Sequence, residues 1–420
     1  MLKGRDVVII SSIDWSFLWQ APQEIALRLS RAGNRVLFVE NTGVRTPVLR
    51  DLGRMKSRLL RWMKSWRSDG ARPVEQNLRV CSPLVLPPFG PAWRRFINRR
   101  LLLPRIAHTA ALMRMRDPVL VTFLPTDSAQ EMIRTLRTSR SVVVYYCGAD
   151  FKELASCAAD LEISERWILA ESNLVLATCS ELIRHCGTWN SNVHACPNGV
   201  DLSAFPQQEG SPGLIDVSSA LGQSLAQINS LPRPIVGYVG GLHRLVDFPL
   251  LAAIAPARPD WSWVFVGPRQ GPAAGIEGLP NVYLLGQQPH DAMVHYLRLF
   301  DVGIVPYLKC PQTRTVVPVK ILHYLAAGKP AVSTDLVTVQ DFNREHGVLI
   351  TSDNDPGSFL RAIEKALDSA HDAVLAARRR EVAAQYDWQN RVEEICSLIE
   401  LQINANTRRK ILEPGRSAGS

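Results

Sequence analysis

The sequence predicts an α/β fold of two domains, each with a parallel β-sheet covered by helices. Short apolar runs typical of buried strands alternate with helical patterns along most of the chain. Strands that alternate with helices form parallel sheets that are buried on both faces. A stretch rich in Gly, Ser, Gln and Pro at residues 206–234 separates two such sets. The 420 residues are enough for two hydrophobic cores.

The first domain, residues 1–205, contains six predicted strands and one helix with a clear end. The helix covers residues 22–32 and stops at Gly33-Asn34. The pattern is Rossmann-like, although no Gly-x-Gly-x-x-Gly follows the first strand. The predicted strands are residues 7–10, 36–39, 119–123, 142–146, 174–178 and 193–196.

The second domain, residues 235–386, repeats the alternation after the predicted linker, which carries a short helix near residues 221–228. Helical patterns follow at residues 359–367 and 372–402. The polar tail, residues 404–420, is predicted to be disordered. The apolar segments of this domain are residues 235–239, 262–266, 281–286, 300–307 and 331–334.

Charge is unevenly distributed along the chain, whose formal net charge is +9. Residues 45–116 hold 17 Lys and Arg against three acids, so the rest of the chain is slightly acidic. Such a basic block needs an anionic partner or solvent. The eight cysteines show no close pairing, which favours buried free thiols over a zinc site or disulfides. No apolar run is long enough for a membrane-spanning helix or a signal peptide.

Residues 316–334 predict a short helix with both ends marked, followed by a strand. Pro318 suits the first helical position, and Gly328 suits a left-handed stop. Lys320 then places an ammonium beside free backbone N–H groups, which favours an anion site. Gly240 and Gly241 follow a strand and let the backbone approach a phosphate closely. An ordinary loop–helix–strand unit and a simple tight turn are the respective alternatives.

Several segments resemble one known family. The pattern Pro-x-Lys-x-x-His-Tyr-Leu-Ala-Ala-Gly-Lys-Pro at residues 318–330 is similar to the donor-binding helix of glycosyltransferase family 4. Pro-Asn-Gly-Val-Asp at residues 197–201 and the strand with its glycine loop at residues 235–242 match further signatures of that family. The resemblance spans residues 6–388, and the similar enzymes include bacterial glycosyltransferases of the polysaccharide and teichuronic-acid type. It implies the GT-B fold, in which two Rossmann-like domains face each other across a cleft.

The resemblance also implies a function, which is transfer of a sugar from a nucleotide diphosphate donor, a UDP-sugar, to a saccharide or lipid-linked acceptor. The implied enzyme is a hexosyltransferase without a metal or a resident cofactor, and its final helix, residues 387–403, crosses back to the first domain. Lys320 is expected to stabilise the leaving diphosphate, and Asp150, after a strand end, is a candidate base or a turn residue. The expected donor-binding residues are Gly240, Gly241, Arg244, Tyr307, Arg314, Thr315, Pro318, Lys320 and His323.

The sequence departs from the family at four positions. Gly241 and Val246 stand where the family carries Arg and Lys, and Thr315 and His323 stand where it carries a pair of Glu. His323 is expected to bind the ribose hydroxyls in place of a carboxylate, or to be a structural histidine. The departures leave the stereochemistry open and keep two rivals in view: a catalytically silent GT-B binding module and a nucleotide-sugar epimerase of the same fold.

A long polar and aromatic loop follows the first strand and is expected to bind the acceptor. Its candidate residues are Asp14, Trp15, Gln20 and Gln23. Residues 54–67 and 93–100 mix Arg and Lys with Trp, Leu and Phe, which favours contact with an anionic membrane surface. No nucleic-acid motif accompanies these cations. A cytoplasmic protein, peripheral on the inner face of the plasma membrane, is expected.

Overall fold

The described chain consists of two compact units, each built on one β-sheet. A computed structural model describes residues 2–42, 71–83, 85–86, 89, 92–152, 158–205, 219–271, 273 and 275–412. One unit comprises Met1–Pro197 with Arg391–Ser420, and the other comprises Asn198–Asn390. The division falls at Pro197, earlier than the predicted boundary at residue 205, because Cys196 still hydrogen-bonds the first sheet whereas the Val200 amide bonds to the Tyr386 carbonyl of the second unit.

The sheet of the first unit has eight strands in the order β3-β4-β2-β1-β5-β6-β7-β8, and all neighbours are parallel except β3 and β4. The six strands predicted from the sequence are present, and the β3–β4 hairpin was not predicted. The strands are β1 (Asp6–Ile10), β2 (Arg35–Val39), β3 (Arg72–Glu75), β4 (Leu78–Cys81), β5 (Val119–Thr122), β6 (Val143–Cys147), β7 (Leu174–Ala177) and β8 (Val193–Ala195).

Helices lie between most successive parallel strands of this sheet, as the crossover connections of a parallel sheet require. Helix α1 begins at Ala21, one residue before the predicted start, and has Pro22 in its first turn. The helices are α1 (Ala21–Arg31), α2 (Ala92–Ile97), a π-helix (Asn98–Leu102), α3 (Pro104–Leu112), α4 (Asp127–Leu136), α5 (Ala158–Glu171) and α6 (Ser180–Gly187).

The sheet of the second unit is entirely parallel, with six strands in the order β11-β10-β9-β12-β13-β14. Counted from its first strand, this is the order 3-2-1-4-5-6 of the doubly wound Rossmann fold. The strands are β9 (Ile235–Val239), β10 (Ser262–Val266), β11 (Val282–Leu284), β12 (Val302–Val305), β13 (Ala331–Thr334) and β14 (Ile350–Ser352).

The helices of the second unit include one in the segment predicted to be a linker. Its Ile228 is fully buried in the core of this unit, so residues 219–234 belong to a folded domain rather than to a free connection. The predicted pattern at residues 372–402 forms two helices. The helices are α7 (Ala220–Asn229), α8 (Phe248–Ala257), α9 (Met293–Leu299), α10 (Lys320–Ala326), α11 (Val337–His346), α12 (Pro356–Leu367), α13 (Ala373–Ala384) and α14 (Trp388–Leu412).

Helix α14 begins in the second unit and continues as part of the first from Arg391. It extends to Leu412, so residues 404–412 are helical and the predicted disorder there is wrong. The remaining tail, residues 413–420, and the basic segment 54–67 lie outside the described residues.

Candidate functional site

The strand order of the second sheet places a ligand site at the ends of β9 and β12. These two strands lie side by side at the point where the order of the sheet reverses, and ligands of such sheets bind outside the carboxyl ends of the strands at that point. Gly240 follows β9, and Tyr307 lies two residues beyond β12. Both residues were predicted to bind the donor.

Tyr324 fixes α10 across these two strand ends. Its hydroxyl donates to the carbonyl of Ile304 at 3.1 Å and accepts from the backbone N–H of Val239 at 3.2 Å. Its ring lies against Gly303, where an added Cβ would be 2.4 Å from the ring. Because glycine alone allows this approach, the buried tyrosine pins the helix to β9 and β12. Lys320, one helical turn earlier, therefore lies at the same strand ends.

The Lys320 ammonium is held between two tyrosine rings beside the glycine loop. Its Nζ donates to the hydroxyl of Tyr307 and lies 4.7 Å from the ring centroids of both Tyr238 and Tyr307. A Cβ on Gly240, which has a φ of +129°, would lie 3.1 Å from Lys320 Cε. The rings attract the cation and restrict its position. The predicted proximity of Lys320 and Gly240 is therefore present.

His243, which sequence reasoning missed, supports Tyr307 from the other side. Its Nδ1 accepts from the Leu245 amide at 3.2 Å, so the ring proton lies on Nε2, which is 3.2 Å from the Tyr307 hydroxyl. Burial, helped by the positive charges of Lys320 and Arg244, lowers the pKa of His243 to about 4. The imidazole is neutral near pH 7 and donates to Tyr307 without adding a second cation.

Hydrogen bonds also hold the backbone of Tyr307. Its carbonyl accepts from Thr334 Oγ1 at 2.8 Å and from Asn354 Nδ2 at 2.9 Å. Tyr238 donates its hydroxyl to the Gly241 carbonyl at 2.8 Å, which links the second ring of the lysine site to the glycine loop. These contacts hold the Tyr307 backbone and the Tyr238 ring in place around Lys320, as is typical of preorganised electrostatic sites.

The start of α10 differs from the prediction. The helix begins at Lys320, and Pro318 precedes it as a buried residue whose carbonyl accepts from the Ile321 amide at 3.0 Å. Thr315 is buried in a turn, so it does not share a helical face with His323 as the spacing suggested. Arg314 and Arg244 are both exposed.

His323, which was expected to replace a carboxylate of the family, is a neutral group near pH 7. Burial, followed by the charges of His290 and Lys320, lowers its pKa to about 3. Its ring stacks on Phe205 with 6.5 Å between centroids and 18° between planes. A neutral imidazole can donate one hydrogen bond and accept another, which suits a hydroxyl partner.

In the first unit, the loop after β1 is held together by Gln23. This side chain is fully buried, and its Oε1 accepts from the Gln20 amide at 3.1 Å. Its Nε2 points at three loop carbonyls, those of Asp14, Trp15 and Leu18, at 3.3 to 3.5 Å. Gln23 therefore shapes the loop and does not offer its amide to an acceptor, contrary to the prediction.

The other predicted residues of the first unit differ in their surroundings. The Trp15 ring packs edge-on against Phe38, with centroids 5.0 Å apart, and its amide donates to Glu40 Oε1 at 3.0 Å. Gln20 is exposed and Asp14 is half-buried. Asp150 is half-buried after β6, and its Oδ1 accepts from the Lys152 amide at 3.0 Å, which is the turn role left open by the sequence. Glu40, a buried carboxylate after β2, was not predicted.

No group of three or more His, Cys, Asp or Glu side chains suited to a metal ion occurs among the described residues. Within the same residues, none of the helices combines the length and the apolar character needed to cross a membrane.

Comparison with known proteins finds a family match for residues 233–369. This segment matches the family described as glycosyl transferases group 1. The chain is also 28% identical over 267 residues to TuaH of Bacillus subtilis (strain 168), named as a teichuronic acid biosynthesis glycosyltransferase. The match covers 61% of this chain and 63% of TuaH, which is less than two thirds of that relative.

Solved structures share the fold over nearly the whole chain. Sucrose-phosphate synthase from Thermosynechococcus elongatus superposes with a TM-score of 0.66 at 16% identity, covering 96% of this chain and 100% of that one. Anabaena HepE, solved with UDP and glucose, gives a TM-score of 0.61 at 15% identity over 94% of this chain and 99% of its own. These likenesses show the GT-B fold, and the predicted fold is confirmed.

Proposed function

We propose that the protein transfers a sugar from a UDP-sugar to a saccharide or lipid-linked acceptor. Its residues 233–369 match the glycosyl transferases group 1 family, and the chain has the GT-B fold. The observation that supports this most is the Lys320 ammonium, held beside Gly240 at the switch point of the second sheet. The structure of HepE with UDP and glucose supports UDP as the nucleotide. The name of TuaH supports a role in bacterial polysaccharide or glycolipid synthesis.

In the proposed reaction, Lys320 stabilises the negative charge that develops on the diphosphate as the sugar leaves. Of its three N–H groups, one is donated to Tyr307, so others can be donated to phosphate oxygens. The glycine loop after β9 lets backbone approach the same anion. Neutral His323 binds a donor hydroxyl. Removing a single electrostatic contact of this kind typically lowers kcat by two to three orders of magnitude in enzymes.

Lys320→Ala tests the donor site directly. Calorimetric titration of the full chain with UDP is expected to show at least a ten-fold loss of affinity, which corresponds to about 1.4 kcal/mol. Lys365→Ala, which removes an exposed lysine of α12 in the same unit, serves as the matched control and should leave UDP binding unchanged. Equal UDP affinity of Lys320→Ala and the wild type would remove Lys320 from the proposed mechanism.

A silent binding module remains the rival, because Thr315 and His323 replace the paired carboxylates of the family. Turnover separates the two: an enzyme releases UDP from a UDP-sugar in the presence of an acceptor extract, whereas a module binds UDP and releases none. An epimerase would instead interconvert the sugar without transfer, which chromatography of the nucleotide sugars would detect.

We further propose that the protein works at the inner face of the plasma membrane, docked through α2 and the π-helix after it. Trp93 is 55% exposed, and Phe96 and Leu101 are each 62% exposed. Two of these rings contact guanidinium groups. The Cζ of Arg94 lies 5.5 Å from the centroid of the Trp93 ring, and the Cζ of Arg100 lies 5.9 Å from that of the Phe96 ring. Exposed aromatic rings among arginines suit the interface of an anionic bilayer.

Vesicle sedimentation tests this docking surface. The full chain should bind vesicles with 30% phosphatidylglycerol, and bind them less well at high salt because surface attraction is screened. The double variant Trp93→Ala/Phe96→Ala should lose most of the binding. Trp189→Ala is the matched control, since Trp189 is 46% exposed and also lies under a guanidinium, that of Arg166 at 4.6 Å. Equal losses in both variants would contradict a specific membrane face.

A further inference from the structure

Several cations lie at the edge of the second sheet that is opposite the donor site. The donor site lies at the carboxyl ends of β9 and β12, whereas Arg233, Asp301 and Lys329 come just before β9, β12 and β13. These three strands are parallel neighbours, so their amino-terminal ends meet at one edge. Arg380, on α13, reaches the same edge, because a Cβ added to Gly328 would lie 2.8 Å from its Nη2. We call Arg233, Lys329 and Arg380 the cation cluster.

Asp301 is the carboxylate at the centre of this edge, and its hydrogen bonds are already made. Its side chain is buried, and its Oδ2 accepts from the Ile235 amide at 2.7 Å. Its Oδ1 accepts from Arg233 Nη1 at 2.6 Å and lies 4.0 Å from Nε2 of the exposed His371. A single carboxylate balances one of the three cations, so an excess of positive charge remains in the cation cluster.

The neighbouring Arg379 has a structural role that Lys329 and Arg380 do not share. Its buried guanidinium donates to the Gly328 carbonyl at 3.3 Å and to the Ser369 carbonyl at 3.2 Å. Cations stabilise the C-terminal end of a helix, and Gly328 follows the end of α10. Arg379 therefore accounts for the negative end of α10, and Lys329 and Arg380 need another explanation.

Lys329 and Arg380 have no anionic partner of their own. Lys329 is half-buried, and neither its ammonium nor the exposed guanidinium of Arg380 makes a hydrogen bond or an ion pair within the described part of the chain. Burial lowers the pKa of Lys329, and the charges of Arg233 and Arg380 add to this effect against that of Asp301. Lysine is rarely buried without a partner, and an anion between Lys329 and Arg380 would supply one.

We propose that the cation cluster binds a phosphate group, at a second anion site of this unit that is separate from the donor site. A phosphate group carries about −1.5 to −2 charges near pH 7 and has three acceptor oxygens, which matches three cations. Arg233 gives only Nη1 to Asp301, so its Nε and Nη2 can donate to phosphate. Arg233 and Arg380 are exposed, so a ligand can reach the cluster from solvent. The phosphate can belong to a soluble compound or to a lipid headgroup, because both present the same oxygens.

Thermal unfolding of the full chain with inorganic phosphate tests the site. Excess UDP fills the donor site, and sodium chloride keeps the ionic strength constant. Phosphate should raise the Tm of the wild type, because it binds the folded chain. Lys329→Gln and Arg380→Gln should each need at least about ten-fold more phosphate for the same rise, since each loses a charged hydrogen bond. Without phosphate, Lys329→Gln should be at least as stable as the wild type, because it removes a half-buried ammonium that two guanidiniums repel.

Two matched variants control for the loss of a positive charge. Lys365→Gln removes an exposed lysine of α12, and Arg378→Gln removes an exposed arginine of α13 that pairs with Glu381 at 3.2 Å. Both should respond to phosphate as the wild type does. Lys320→Ala should do so as well, which separates this site from the donor site whether or not the proposed function holds.

Vesicles of phosphatidic acid distinguish the two sources of phosphate. The Trp93→Ala/Phe96→Ala variant is used for sedimentation, so that the docking surface on α2 does not contribute. Vesicle binding that Lys329→Gln abolishes, without a Tm response to inorganic phosphate, assigns the site to a lipid headgroup. A Tm response without vesicle binding assigns it to a soluble phosphate compound. The site is refuted if Lys329→Gln and Arg380→Gln match their controls in both measurements, or if the wild type responds in neither.

Discussion

Replacing Tyr307 with Phe isolates the hydroxyl that holds Lys320 in place. The change keeps a ring 4.7 Å from the ammonium and removes the oxygen that accepts from Lys320 Nζ and lies 3.2 Å from His243 Nε2. A hydrogen bond from a charged donor contributes about 1.5 to 3 kcal/mol when it is well buried. Because Lys320 is half-buried and water replaces part of the bond, we expect a loss of about 1 kcal/mol in UDP binding, which is roughly five-fold in Kd.

The variant also leaves the His243 N–H without its acceptor. This should lower the free energy of unfolding by about 1 kcal/mol and Tm by about 2 to 4 °C. Calorimetry with UDP measures the first effect and thermal unfolding the second. The two effects must be separated, because a destabilised domain could lose affinity for a trivial reason.

Tyr296→Phe is the matched control for this purpose. Tyr296 is buried in the same unit and donates to Ser224 Oγ at 2.9 Å, so its loss should lower Tm similarly without changing UDP affinity. Unchanged or tighter UDP binding by Tyr307→Phe would refute the reasoning, because it would mean that the hydroxyl does not position Lys320 for the diphosphate.

Two further predictions concern the same site. Gly240→Ala should lower the free energy of unfolding by about 1 to 3 kcal/mol, because a φ of +129° strains any residue other than glycine. The added methyl would also lie only 3.1 Å from Lys320 Cε. Gly187→Ala is the control and should not lower it, because an added Cβ there meets no atom within 4 Å. A normal Tm for Gly240→Ala would contradict the described loop. Acid should destabilise the protein partly through His323 and His243, whose pKa values fall from 6.5 to about 3 and about 4 on folding. Below pH 6.5 the unfolded chain takes up protons that the folded chain does not, so this part of the stability is complete above pH 6.5 and is lost as the pH falls toward 3 to 4. His323→Gln should show a shallower decline of Tm between pH 6.5 and 4, and an identical decline would exclude His323 as a contributor.

The sequence by itself determined the α/β class, most strands and the segment that carries the donor site. Apolar runs such as those at β9 and β10 alternate with helical patterns, and burial of both sheet faces allows little else. Lys320 and Gly240 could be identified from the sequence, because a lysine at the start of a helix opposes the helix dipole unless an anion lies between them. Glycines after a strand let the backbone approach such an anion.

Only the tertiary structure decided which neighbours these residues have. Tyr238 contacts Lys320, and His243 contacts Tyr307, from a strand and a loop that are far away in sequence. No local periodicity records such contacts. Gln23 looked like an acceptor residue because amides bind sugars, yet folding buried it beneath its own loop. The cation cluster forms where the starts of separate strands meet α13, so it follows from how these elements pack and not from the sequence of any one of them.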